Sequence, residues 1–147
     1  MGSMPPKLDR IVQLFAGAPR ELRVEALLEY SRKVPPLPAH LEGRQGAMEQ
    51  VEECQTPFFL SAEVDDEQRV TAWFDCPPEA PTTRGFAGIL SEGLNGSTAE
   101  EVLDVPNDFY TQMGLGEAIS SLRLRGMGAI LGHLKRQVRE QAASTAS

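Results

Sequence analysis

The chain predicts an α+β domain, a small antiparallel sheet of three strands packed on one side by helices. Two observations carry this. Apolar residues recur at helical spacing near both ends, as Leu8, Ile11, Val12 and Phe15 and again as Met127, Ile130, Leu131, Leu134 and Val138. Between them lie two short runs of strand character, Gln55 to Glu63 and Arg69 to Phe74, joined by the polar turn Asp65-Asp66-Glu67-Gln68.

Taken in order, the first stripe marks an amphipathic helix ending at Gly17. Pro19 suits the first turn of a second helix, with Val24, Leu27, Leu28 and Ser31 on one face. That helix stops before Val34-Pro35-Pro36-Leu37-Pro38, because proline holds its predecessor extended, and the stretch reads as a stiff connector. Residues 39 to 47 read as a loop. A third strand is expected around Met48 to Val51, which puts Cys54 on the loop or strand end entering the sheet. After the turn-rich spacer Asp75 to Pro81, Thr82 to Gly93 has Phe86, Ile89 and Leu90 at helical spacing. Ser97-Thr98-Ala99-Glu100 reads as a capping box. A short helix around Asn107 to Met113 and a glycine break at Gly114 and Gly116 lead to the last helix. Lys135, Arg136 and Arg139 suit the dipole near its C-terminus. Met1-Gly2-Ser3 reads as an expression remnant, 4–141 as one domain, and 142–147 as a frayed tail of small polar residues.

Composition narrows the function classes. At 147 residues the chain can bury about two-thirds of its unfolded surface. Its 41% apolar and 24% charged residues describe an ordinary globular protein. No apolar run approaches a membrane span of about 18 residues, and no leader is evident, so a cytoplasmic location without a membrane partner is expected. The net charge of −7 argues against nucleic acid and favours a basic docking surface on a partner.

The chemistry centres on Cys54. Thiolate is the attacking form of cysteine, and the acidic approach Glu49, Glu52 and Glu53 raises the cost of a negative sulfur, as does burial beside Phe58, Phe59 and Leu60. Such a thiol rests quietly until a partner changes its surroundings. The plain alternative is a small buried residue at the start of a strand. Cys76, in a proline-rich turn, reads as structural or incidental. His40 and His133 have no metal-ligand spacing with either cysteine, so no metal is expected. No C-x-x-C, phosphate-binding glycine loop or paired catalytic carboxylates can be placed.

Val51-Glu-Glu-Cys54-Gln55-Thr56-Pro57-Phe58-Phe59-Leu60 resembles the persulfide-accepting segment of the SufE/CsdE family. Four further segments resemble that family in order: Glu29 to Pro38, Arg84-Gly85-Phe86 to Leu90, Asn95-Gly96 to Leu103, and Ile119 to Met127. Glu53 stands where the family has glycine, Ser121 where it has proline, Leu122 where it has serine and Arg125 where it has asparagine. The resemblance, which covers roughly residues 8 to 139, implies the SufE/NifU-like fold. It implies a sulfur carrier, not itself an enzyme. Such a carrier takes persulfide sulfur from a cysteine desulfurase on Cys54, stimulates that enzyme, and passes the sulfur to an iron–sulfur scaffold complex. It implies partner contacts at Gln55, Arg84 and Arg123. No cofactor is implied, since pyridoxal phosphate belongs to the desulfurase. Two cysteines are too few for a cluster scaffold, which normally supplies three. A docking-only regulatory domain and a thiol redox enzyme remain as alternatives.

Overall fold

The computed structural model describes residues 4–54, 56–117 and 119–146. Helices α1 (Pro6–Gly17) and α2 (Arg20–Ser31) come first. The strands β1 (Glu49–Gln50), β2 (Phe59–Val64) and β3 (Val70–Asp75) follow, and α3 (Pro81–Leu94), α4 (Ala99–Leu103) and α5 (Ser121–Ala146) complete the chain. The sheet is antiparallel in the order β1-β2-β3, with Leu60 opposite Phe74 and Ala62 opposite Ala72. The α+β class is therefore correct.

Alternation decides which face of the sheet is inside. Leu60, Ala62, Val70, Ala72 and Phe74 are buried, whereas Ser61, Glu63, Thr71 and Trp73 are partly exposed. The buried face meets the α5 stripe Met127, Ile130, Leu131, Leu134 and Val138 and the α3 residues Phe86, Ile89 and Leu90, all part of one core. Phe86 stacks on Phe109 at 5.6 Å, and Phe58 tilts against Phe74 at 5.8 Å.

Helix α2 departs from the expected face. It buries Leu27, while Val24 is 42% exposed. The reason is glycine on α3. A Cβ on Gly85 would lie 2.3 Å from the Leu27 carbonyl oxygen, and one on Gly88 would lie 1.9 Å from that of Tyr30. The two backbones thus approach along the Leu27–Tyr30 edge, which turns Val24 outward. Ser31 donates to Leu28 O at 2.5 Å.

Two other expectations shift. The capping box belongs to Thr98 and Glu101, not Ser97 and Glu100: Glu101 N donates to Thr98 Oγ1 at 3.2 Å, and Thr98 N donates to Glu101 Oε1 at 2.8 Å. The tail expected to fray from 142 continues α5 through Ala146, so Lys135, Arg136 and Arg139 lie well inside the helix rather than at its end. There Lys135 donates to Val105 O and Arg136 pairs with Glu49. The extension is held because Gln141 bonds the sheet and Ala142 packs on the core. Residues 1–3, read as an expression remnant, lie outside the described residues.

Both long strands have their free edges covered. On β2, Ala62 N donates to Gln137 Oε1 at 2.7 Å and Val64 N donates to Gln141 Oε1 at 3.0 Å, while Gln141 Nε2 donates to Ala62 O. On β3, Ala72 N donates to Asn95 Oδ1 at 2.8 Å, Val70 N to Ser97 O at 2.8 Å, and Gly96 N to Val70 O at 2.9 Å. Gly96 has a φ of 91°, which lets the chain turn back against β3 and gives Asn95-Gly96 its physical reason.

Candidate functional site

Cys54 lies on the turn between β1 and β2. Val51 N donates to Phe58 O at 2.8 Å, closing the base of the turn, and Cys54 N donates to Val51 O at 3.2 Å. The turn is laid across α5 where that helix carries Gly126. A Cβ there would sit 3.5 Å from Cys54 Sγ and 3.6 Å from Glu53 O, so the loop rests in van der Waals contact with the helix.

Beside the sulfur is a cavity of about 30 Å3. Its walls come from three elements: Glu53, Cys54 and Thr56 from the turn, Thr83 from the first turn of α3, and Leu122, Arg123, Gly126 and Met127 from α5. This is room for a water or two, or for one atom attached to Sγ. Thr56 Oγ1 is buried and has no hydrogen-bond partner among the described residues. Leu122 is 45% exposed at the rim.

The thiol is held in its neutral form. Burial pushes the pKa of Cys54 up from 9.0 to about 11, with the charge of Glu53 and then Cys76 adding to it. Cys76 is also raised to about 11 by burial, which outweighs the nearby Arg84 guanidinium. Both cysteines are free.

A clamp fixes the acidic side of the turn. His133 on α5 stands between two carboxylates, its Nδ1 on Glu49 of β1 and its Nε2 3.0 Å from Glu53 Oε1. Both ring nitrogens face acceptors, which requires both to be protonated. Burial opposes that charge, but the two carboxylates overcome it and raise the His133 pKa above its ordinary 6.5. Burial likewise works against ionised Glu49, yet hydrogen bonds from His133, Arg136 and Gln137 bring its pKa down to about 2. Glu53 is lowered by its own backbone hydrogen bond and by His133. Glu53 is thus tied to α5.

Of the residues singled out by sequence, Cys54 and Arg123 meet at the cavity. Arg84 does not line it. Its guanidinium donates to Ser31 O at 3.0 Å and Cys76 O at 2.8 Å, joining α3 to α2 and to the end of β3. Gln55 lies outside the described residues. Thr56, Thr83, Gly126 and the His133 clamp were not singled out as site residues. The signal for His133 was its place one turn from Arg136 and Gln137 on a helix crossing an acidic strand, which local spacing does not reveal. Among the described residues no cluster of histidine, cysteine or carboxylate could hold a metal, and no helix is long and apolar enough to cross a membrane.

Comparison with known proteins gives the chain its relatives. An uncharacterized SufE-like protein of Mycobacterium tuberculosis is 48% identical over 138 residues, spanning 94% of this chain and 95% of that one. The cysteine desulfuration protein SufE of Plasmodium vivax is 28% identical over 136 residues, covering 90% of this chain and 52% of that one. A hypothetical protein from Thermus thermophilus, solved in solution, superposes with a TM-score of 0.85 at 48% identity, covering 96% of this chain and 99% of that one. The family described as SufE, an Fe-S metabolism associated domain, matches residues 9–138. With that match spanning nearly the whole domain, the chain belongs to the SufE family.

Proposed function

We propose that this protein is a sulfur carrier that accepts the terminal sulfur of a cysteine desulfurase persulfide on Cys54 and relays it to an iron–sulfur scaffold complex. The observation that supports this most is a single thiol on a short turn, placed over a cavity with room for one further atom. The Cys54 thiolate attacks the outer sulfur of the donor persulfide. A new S–S bond forms at Cys54, the donor S–S bond breaks, and the donor cysteine leaves as thiolate. No external oxidant is needed, because sulfane sulfur is exchanged between like groups. Removing the persulfide from the donor is also what would stimulate the desulfurase.

At rest the high Cys54 pKa keeps the thiolate scarce. Docking therefore has to expose the turn or neutralise Glu53, which a basic partner surface does. Leu122 and Arg123 at the cavity rim are the first contacts for such a partner, with Gln55 a further partner contact by resemblance. Arg84, a partner contact by resemblance, acts on this reading through the segments it ties together.

Intact-mass analysis after mixing the protein with a cysteine desulfurase and free cysteine tests the reading. A gain of sulfur that reductant reverses, and that Cys54→Ser abolishes, is expected. No gain with several desulfurases would leave docking alone as the function.

A further inference from the structure

We propose that the Thr56 hydroxyl is the hydrogen-bond donor to the outer sulfur of a persulfide on Cys54, held in the cavity that both residues line. The inference rests on the carrier reading above and assigns a residue role within it. Thr56 lines the cavity together with Cys54, and its Oγ1 is buried and has no partner among the described residues. A buried hydroxyl left unpaired is a net cost to the fold, and native proteins retain few of them. Within a cavity of this size the hydroxyl is a donor available to an atom attached to Sγ.

The geometry specifies that atom. Thr56 makes no hydrogen bond to Sγ in the thiol form. A persulfide extends the side chain by one S–S bond of about 2 Å, which carries the outer sulfur into the space beyond the thiol. The bulk around it is limited by Gly126, where a methyl group would already touch Sγ at 3.5 Å. A persulfide is more acidic than its parent thiol, so the species to be held is an anion. The first turn of α3 contributes Thr83 to the same wall, and its N-cap is Ala80, which has no capping side chain. The positive end of the α3 dipole thus lies beside the cavity, together with Arg123. Glu53 opposes the charge. Thr56 offers the donor that a thiol cannot use and a persulfide anion can.

The test uses Thr56→Val, which keeps the shape and removes the donor, and Thr56→Ser, which keeps the donor. Both are made in the full chain with Cys76→Ala, so that one thiol is read. Sodium tetrasulfide loads Cys54 without a desulfurase, and intact mass follows loss of the added sulfur. Thr56→Val is expected to shed it about tenfold faster, in line with a charge-assisted hydrogen bond, and Thr56→Ser to match the parent. In the unloaded form, Thr56→Val should raise the melting temperature by about 2–4 °C, because an unpaired buried hydroxyl has been removed. Equal lifetimes in the parent and Thr56→Val would overturn the assignment while leaving Cys54 a carrier. A parent protein that takes sulfur from neither tetrasulfide nor a desulfurase would overturn the carrier reading itself.

Discussion

Replacing Glu53 with glutamine isolates the electrostatic part of Cys54's quiescence. With its pKa at about 11 rather than 9.0, Cys54 is about 0.1% thiolate at pH 8, against about 10% for an ordinary cysteine. The smaller fraction slows alkylation about a hundredfold, and the greater nucleophilicity of the more basic sulfur recovers about six- to tenfold. Cys54 should therefore react with iodoacetamide about ten- to fifteenfold more slowly than free cysteine. Burial is the larger cause and survives the substitution; the Glu53 charge comes next. Its side chain is 51% exposed, so solvent screens it, and we expect alkylation only about two- to fourfold faster in Glu53→Gln. The inflection of the rate against pH should move down. Intact mass over a pH series, in the Cys76→Ala background, reads both quantities. The reasoning fails if Glu53→Gln reacts no faster, or if the parent thiol already reacts like free cysteine.

Other substitutions probe packing and charge. Gly88→Ala places a methyl group 1.9 Å from the Tyr30 carbonyl oxygen and forces α2 off α3; urea unfolding should show a loss of about 3 kcal/mol. A loss below about 1 kcal/mol would mean that α2 shifts without strain. Gly126→Ala, whose methyl meets Sγ at an ordinary 3.5 Å, should hold or gain stability, helped by about 1 kcal/mol of helix propensity, yet load sulfur more slowly. Equal loading would show that the outer sulfur does not enter the cavity. The His133 imidazole should titrate by NMR above 6.5 and fall toward it in Glu49→Gln. Its stabilising charge is fully present below about pH 6.5 and lost as pH rises through the raised folded value. Glu49 behaves oppositely, stabilising above its ordinary 4.5 and ceasing to do so as pH falls toward about 2. An imidazole that titrates at or below 6.5 would dissolve the clamp.

Much of this architecture was legible from local pattern. Leu8, Ile11, Val12 and Phe15 are all buried where periodicity put them, as is the α5 stripe from Met127 to Val138. Periodicity failed at Val24 because what seats α2 is the absence of side chains on Gly85 and Gly88, more than fifty positions away. The capping box was misplaced by one residue because Ser97 and Thr98 offer the same hydroxyl chemistry and Glu100 and Glu101 the same carboxylate. What separates them is that Ser97 lies on the edge of β3, its carbonyl accepting from Val70 N, so that α4 is capped one residue later. At the site, Cys54 stood out from its immediate neighbours. Its cavity did not, because three distant elements build it. His133 looked inert until α5 crossed β1 and set it between Glu49 and Glu53.

The glutamines of α5 have a consequence for how copies of this molecule meet. Strand β1 ends after pairing with Phe59 and Leu60, which leaves the next stretch of β2 with the unfilled edge that recruits strands from other molecules. Gln141 fills it by imitation, its carboxamide donating to Ala62 O and accepting from Val64 N as a neighbouring peptide group would. The side chain is a one-residue surrogate strand that cannot be extended into a larger sheet. Removing it with Gln137, as Gln137→Ala/Gln141→Ala, should make the protein self-associate with rising concentration in sedimentation experiments, whereas a double variant that sediments as the parent does would show that the edge needs no such guard. The final turns of α5 thus occupy the stretch of β2 that a strand from another molecule would otherwise pair with.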